Sequence, residues 1–113
     1  MSEPKEGEAV IVVIATILTE AGQRAEVLKH FQDVVPEVRN EVGCIEYGPV
    51  VDVETMIPAQ SDPDPNKIVM VEKWESIEDL EQHLIAPHMI DFRSKVKDLI
   101  CSVDLQVLSP VTE

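Results

Sequence analysis

Glycine is scarce in this chain of 113 residues: four glycines stand singly at positions 7, 22, 43 and 48. No stretch therefore offers the run of backbone amides that cradles a phosphate, and no Gly-x-Ser-x-Gly elbow occurs. Two cysteines, Cys44 and Cys101, form neither a disulfide framework nor a Cys-x-x-Cys metal pattern. Basic residues are few. Nine face 22 acidic ones, for a net charge of −13. Nucleic acid and anionic membranes both require a basic footprint, so neither is an expected partner. The longest strongly apolar run, residues 9–18, is half the length of a membrane span, which needs about 20 residues. Residues 1–8 are acidic and polar, without the basic start of a signal peptide. The expectation is a cytoplasmic protein with a flexible acidic tail at 1–8 and a single domain at 9–113.

Hydrophobic residues make up 44% of the chain against 27% charged, a globular balance. A domain of this length buries about 65% of its extended-chain surface, enough to stand without disulfides or metal. Its first run, Val10 to Leu18, is β-branched and nearly continuous, which predicts a strand buried on both faces. Thr19 reads as the cap of a helix in which Leu28, Phe31, Val35, Val38 and Val42 recur at helical intervals, closed by Gly43. A second strand is expected from Cys44 to Val53. The loop at 54–66, with Pro58, Pro63 and Pro65, lacks the donors for regular structure and reads as exposed, either a lid or a simple insertion. Lys67 to Trp74 alternates as a third strand, with Ile68, Met70, Glu72 and Trp74 on one face.

Ser76-Ile77-Glu78-Asp79 has the form of a capping box. The helix that follows breaks at Ala86-Pro87 and resumes, with Met89, Phe92, Val96 and Leu99 at helical spacing. Val103, Leu105 and Val107 form a last strand. The order βαββαβ predicts an α+β, ferredoxin-like fold, an antiparallel sheet with helices on one face. Apolar residues on both faces of the strands predict that the second face meets another copy, as a homodimer.

His83 and His88 are the most informative polar pair. On an unbroken helix they would point about 140° apart, given roughly 3.6 residues per turn. The break at Pro87 can bring them together, which leaves a metal pair or two helix-end tethers as readings. His30 reads as a surface residue. Trp74 and Tyr47 are the only residues of their kinds. Their simplest role is packing, but Trp74, Phe92, Met70 and Met89 would also line a pocket for a flat aromatic ligand, with a histidine at its edge. Glu72 is expected to be either a buried acid or base or, more simply, a salt-bridge partner of Arg93. Both cysteines read as packing residues, since little positive charge is available to activate a thiol.

Six segments, in order, carry a family resemblance: Val13-Ile14-Ala15, Ala21-Gly22-Gln23, Glu41-Val42-Gly43-Cys44-Ile45-Glu46-Tyr47, Val71-Glu72-Lys73-Trp74-Glu75-Ser76, Leu80-Glu81-Gln82-His83-Leu84 and Pro87-His88-Met89. Together they resemble the antibiotic biosynthesis monooxygenase (ABM) superfamily, and within it the small bacterial quinol monooxygenases. The resemblance runs from Val10 to Pro110. It implies a dimeric α/β barrel of two ferredoxin-like subunits. It also implies oxidation of a hydroquinone or similar electron-rich aromatic by O₂ without flavin, haem or metal.

On that reading His83 is the base, with an unperturbed pKa of about 6.5, and His88 is the second choice. Trp74 and Tyr47 would line or orient the ring beside Met70, Glu72 and Phe92, and Arg93 would steady the developing anion. The chain departs from haem-degrading members at Ile17, where they keep Asn, and near Arg93, where they place the haem-ligating His. It departs from polyketide-oxidising members at Met70, where they place Asn. Two other readings share the fold: a non-catalytic module that binds small aromatics, and a lyase or isomerase using a pocket His or Glu for proton transfer.

Overall fold

The computed structural model describes residues 10–111, so the expected tail at 1–8 and the last two residues lie outside the described residues. Strand β1 (Ile11–Thr19), helix α1 (Arg24–Arg39), strands β2 (Cys44–Val50) and β3 (Lys67–Trp74), helices α2 (Ile77–Leu84) and α3 (Pro87–Val96), and strand β4 (Ile100–Leu108) follow in order. The strands form one antiparallel sheet in the order β2-β3-β1-β4. This is the expected ferredoxin-like arrangement. The sheet is open and does not close into a barrel within one chain.

One face of the sheet carries the core. Ile11 pairs with Trp74, Val13 with Glu72, Ala15 with Met70 and Ile17 with Ile68, and all eight side chains are buried. The helices close over them with Val27, Phe31, Val34, Val35 and Val38 from α1 and Met89, Phe92 and Val96 from α3. Phe31 and Phe92 meet with ring centroids 4.4 Å apart and join the two helices. Burying side chains of this size stabilises by about 1.5–3 kcal/mol each.

The opposite face differs from expectation. Val12, Ile14, Val69 and Val71 are only half-buried and Leu18 is exposed, so β1 is covered on one side rather than two. Strand β4 is an edge. Val103, Leu105 and Val107 share the helix-facing side of Ile17, Ala15 and Val13, but the helices stop short of them and they stay exposed.

Local chemistry moves several boundaries. Thr19 does not cap a helix: it ends β1, its amide donating to the Asn66 carbonyl at 2.8 Å and its hydroxyl donating to the same oxygen at 3.2 Å. A turn through Gly22, at φ +76°, intervenes, and α1 begins only at Arg24. That helix ends at Arg39, so Val42 lies beyond it and is exposed, while Gly43, at φ +81°, turns the chain into β2. Strand β2 stops at Val50, three residues early, where Asp52 leaves the sheet to receive the Asp64 amide and the Lys67 ammonium. Cys101 is not a packing residue; it is exposed and its thiol donates to Glu20 at 3.1 Å. Ser76 does cap α2, accepting the Asp79 amide at 3.1 Å, and α3 opens on Pro87 as read.

Candidate active site

A turn far back in the sequence meets the two helix ends on either side of the α2–α3 break. Glu41 sits in the turn after α1, held by its amide to the Val38 carbonyl at 2.9 Å. His83 occupies the last turn of α2, buried, and His88 the first turn of α3. The Nδ1 of His83 lies 3.0 and 3.2 Å from the two Glu41 carboxylate oxygens, and the Nε2 of His88 lies 2.6 Å from one of them. The two histidines are thus brought together by a carboxylate that the sequence reading did not single out. Among the described residues no three His, Cys, Asp or Glu side chains are grouped to hold a metal ion.

A carboxylate accepts, so His83 donates through Nδ1–H and keeps its lone pair on Nε2. No buried side-chain nitrogen or oxygen among the described residues lacks a hydrogen-bond partner. Nε2 makes no such bond, and it therefore opens onto the cavity that His83 lines. Burial holds the imidazole below its ordinary pKa, against the opposing pull of Glu41, so it is neutral and basic at pH 7. Its ring packs against Trp74 at a centroid distance of 4.7 Å and against Tyr47, edge-on, at 5.4 Å.

The cavity has a volume of about 360 Å³. Its floor is the helix-facing side of the sheet, with Ala15, Ile17, Met70, Glu72 and Tyr47; Met89 and Phe92 of α3 roof it; Val103 and Leu105 of β4 form one wall. Arg93 and Lys97, both exposed, stand at its mouth. A mostly apolar chamber with a few convergent polar groups is the usual form of a small-molecule site.

Within it, the Glu72 side chain is buried and receives the Trp74 indole N–H at 3.0 Å. Burial pushes its carboxyl up to about 7; the indole bond opposes this and the Glu41 charge adds to it. The expected salt bridge to Arg93 is absent: Arg93 instead donates to the Leu84 carbonyl at 2.6 Å. The guanidinium stays with the solvent at the helix break rather than crossing apolar space to a buried acid. Burial likewise raises the Tyr47 phenol, which remains protonated at all ordinary pH.

Two of the expected site residues stand elsewhere. Trp74 is fully buried behind Glu72 and His83 and does not line the cavity, so it positions the polar groups instead of touching a ligand there. His88 faces a separate cleft of about 50 Å³ between α1 and α3, beside His30 and Asp91. On its other side Glu41 borders an open surface depression near Val42 and Ile85. Cys44, at the start of β2, is pushed up to about 11 by burial and then by the Glu41 charge, so its thiol is inert.

Residues 10–95 match the family model described as antibiotic biosynthesis monooxygenase. The chain is 42% identical over 103 residues to a protein of Escherichia coli named probable quinol monooxygenase YgiN, covering 89% of this chain and 98% of that one. The Shigella flexneri protein of the same name matches equally. Among solved structures, PA3566 of Pseudomonas aeruginosa superposes with a TM-score of 0.77 at 23% identity, covering 92% of this chain and 96% of that chain. Rv0793 of Mycobacterium tuberculosis gives 0.75 at 24% identity, covering 93% and 98%.

Proposed function

Because the chain belongs to the antibiotic biosynthesis monooxygenase family, we propose that it oxidises a hydroquinone or similar small electron-rich aromatic with O₂, drawing on no cofactor. The observation that carries this reading is His83, with Nδ1 fixed by Glu41 and the basic Nε2 left to the cavity. A quinol is a poor reductant until ionised. Removal of its phenolic proton by Nε2 gives a quinolate that passes electrons to O₂ and does the work a cofactor otherwise supplies. The overall step balances as quinol plus O₂ giving quinone plus hydrogen peroxide, or hydroxyquinone plus water.

The rest of the cavity supports the same chemistry. Tyr47 and a protonated Glu72 offer hydrogen bonds to the ring oxygens, and Met70, Met89 and Phe92 hold the ring and keep water away. Arg93 at the mouth favours the developing anion. His88, outside the chamber, secures Glu41 and through it the imidazole; it is a positioning residue in this reading. The half-buried Val12, Ile14, Val69 and Val71 on the uncovered side of the sheet support a homodimer in which two such sheets face each other.

Oxygen uptake by the metal-free protein with freshly reduced menadiol tests the reading. Saturable uptake above a protein-free blank is expected, falling by about 10²–10⁴ in His83→Ala, the usual contribution of a general base. Uptake no faster than the blank, with menadione still bound, would instead favour the binding-module reading.

A further inference from the structure

We propose that the physiological substrate is an aromatic bearing an acidic substituent, a carboxylate that Arg93 and Lys97 receive at the cavity mouth while the hydroxylated ring lies inward against His83. The inference rests on the cavity being the substrate site.

Charge is distributed unevenly in a telling way. Of the eight bases among the described residues four sit in ion pairs. Of the other four, Arg24 and Arg39 donate to the Asp64 and Tyr47 carbonyls and do not line the cavity, which leaves Arg93 and Lys97 beside it. Lys29 pairs with Glu26 at 3.9 Å, Lys67 with Asp52 at 3.1 Å, Lys73 with Glu46 at 3.5 Å and Lys95 with Asp91 at 3.0 Å. Lys97 makes no ion pair among the described residues. Arg93, four residues earlier, makes none either; it spends one N–H on the Leu84 carbonyl and leaves the rest of its planar fork unused.

Lys97 ends α3 as its cap, still in helical conformation, so a spacing of four brings it to the same side as Arg93, and both line the same cavity. No acid stands between them and the chamber except Glu72 on the floor, which burial keeps largely uncharged below pH 7. Two cations and one largely uncharged acid are thus the ionisable groups that line the chamber beside His83 and Tyr47, in a molecule of net charge −13. An apolar chamber does not distinguish a charged from a neutral aromatic of one size in favour of the charge; two cations at its entrance, neither in an ion pair among the described residues, favour the anionic one.

The test uses a pair of ligands that cannot be oxidised by the proposed reaction. 2-Naphthoate and 2-naphthamide share shape and differ in charge, and neither carries a hydroxyl, so a preference reports the acidic substituent rather than a phenolate. Isothermal titration at low ionic strength should show the naphthoate binding about tenfold tighter than the amide. That preference should fall about threefold in Lys97→Gln, vanish in Arg93→Gln/Lys97→Gln, and persist in Lys95→Gln, whose ammonium lies outside the cavity. Lys97 is exposed and unpaired, so its variant keeps the fold even if loss of the Arg93 bond does not.

Equal affinity for the two ligands, no binding of either, or a preference that survives both substitutions overturns the inference. Menadiol oxidation separates the two readings. A protein that consumes oxygen without preferring the carboxylate loses this inference and keeps the function; one that prefers the carboxylate without consuming oxygen keeps the anion site and loses the function.

Discussion

Replacing Glu72 with Gln should make the protein more stable in alkaline solution while hardly changing it in acid. The side chain is buried on the floor of the cavity, and its acceptor oxygen takes the Trp74 indole N–H at 3.0 Å. Gln keeps that acceptor and nearly the same volume, so the substitution removes the titration and little else. The wild-type carboxyl is pushed from 4.5 up to about 7 in the folded chain. Below pH 4.5 both folded and unfolded states hold the proton, and the group takes nothing from stability. As pH rises from 4.5 to 7 the unfolded chain ionises first, which favours unfolding; above 7 both states are ionised and the penalty is constant. At up to about 1.4 kcal/mol for each pH unit, the wild type should lose about 3 kcal/mol relative to Glu72→Gln between pH 4 and pH 8.

Urea unfolding of both proteins at fixed concentration, from pH 4 to pH 8.5, reads this difference directly. All other titrating groups cancel between the two curves. Trp74, the single tryptophan, provides a second view: its emission should titrate with a midpoint near 7 in the wild type and lose that inflection in the variant. A stability difference that is flat across this range would refute the account of a desolvated carboxyl. So would a Trp74 midpoint near the ordinary carboxylate value.

Two further substitutions test the site and the sheet. Glu41→Gln removes the charged acceptor of His83 Nδ1–H; losing one charge-assisted hydrogen bond, about 1.5–3 kcal/mol, should lower kcat/KM by about ten- to a hundredfold. Glu41 also holds the His83 pKa up against burial, so the acid limb of the pH–rate profile should move to lower pH. A limb that stays in place would remove Glu41 from its positioning role. Ile14→Lys puts an ammonium in the middle of the uncovered sheet face. Analytical ultracentrifugation should show a dimer for the wild type and a monomer for the variant, and identical sedimentation would count against that face as the contact.

The residues that were readable in advance are those whose signal is local. The alternation of Ile68, Met70, Glu72 and Trp74 states the register of β3 because a strand has a period of two. Ser76 and Pro87 mark helix starts through their own backbone chemistry. Glu41 had no such signal. It is one of 22 acids, and it lies 42 and 47 residues from the histidines it joins, so only the folded chain distinguishes it. Its place two residues before Gly43, whose positive φ makes the turn into β2, and its position at the head of one of the segments that carry the family resemblance are the local hints, and neither gives it a role.

The continuous apolar run of β1 predicts burial on two faces because composition reports what a strand can bury rather than what one chain supplies to cover it. Thr19 misled for a different reason: its side chain has a cap's chemistry, but the loop carbonyl at Asn66 claims it first.

The β2–β3 connection is clasped at its base. Asp52 receives both the Asp64 amide at 2.8 Å and the Lys67 ammonium at 3.1 Å, and Asn66 accepts the Gly22 amide at 3.1 Å. Everything between these ties is isolated from the register of the sheet. Each doubling of a flexible loop costs only about 0.6 kcal/mol in closure entropy, so this segment is free to lengthen or shorten over evolutionary time without disturbing the chamber. It is also the natural point of entry for an affinity tag or a reporter domain, inserted within the chain while the chamber stays whole.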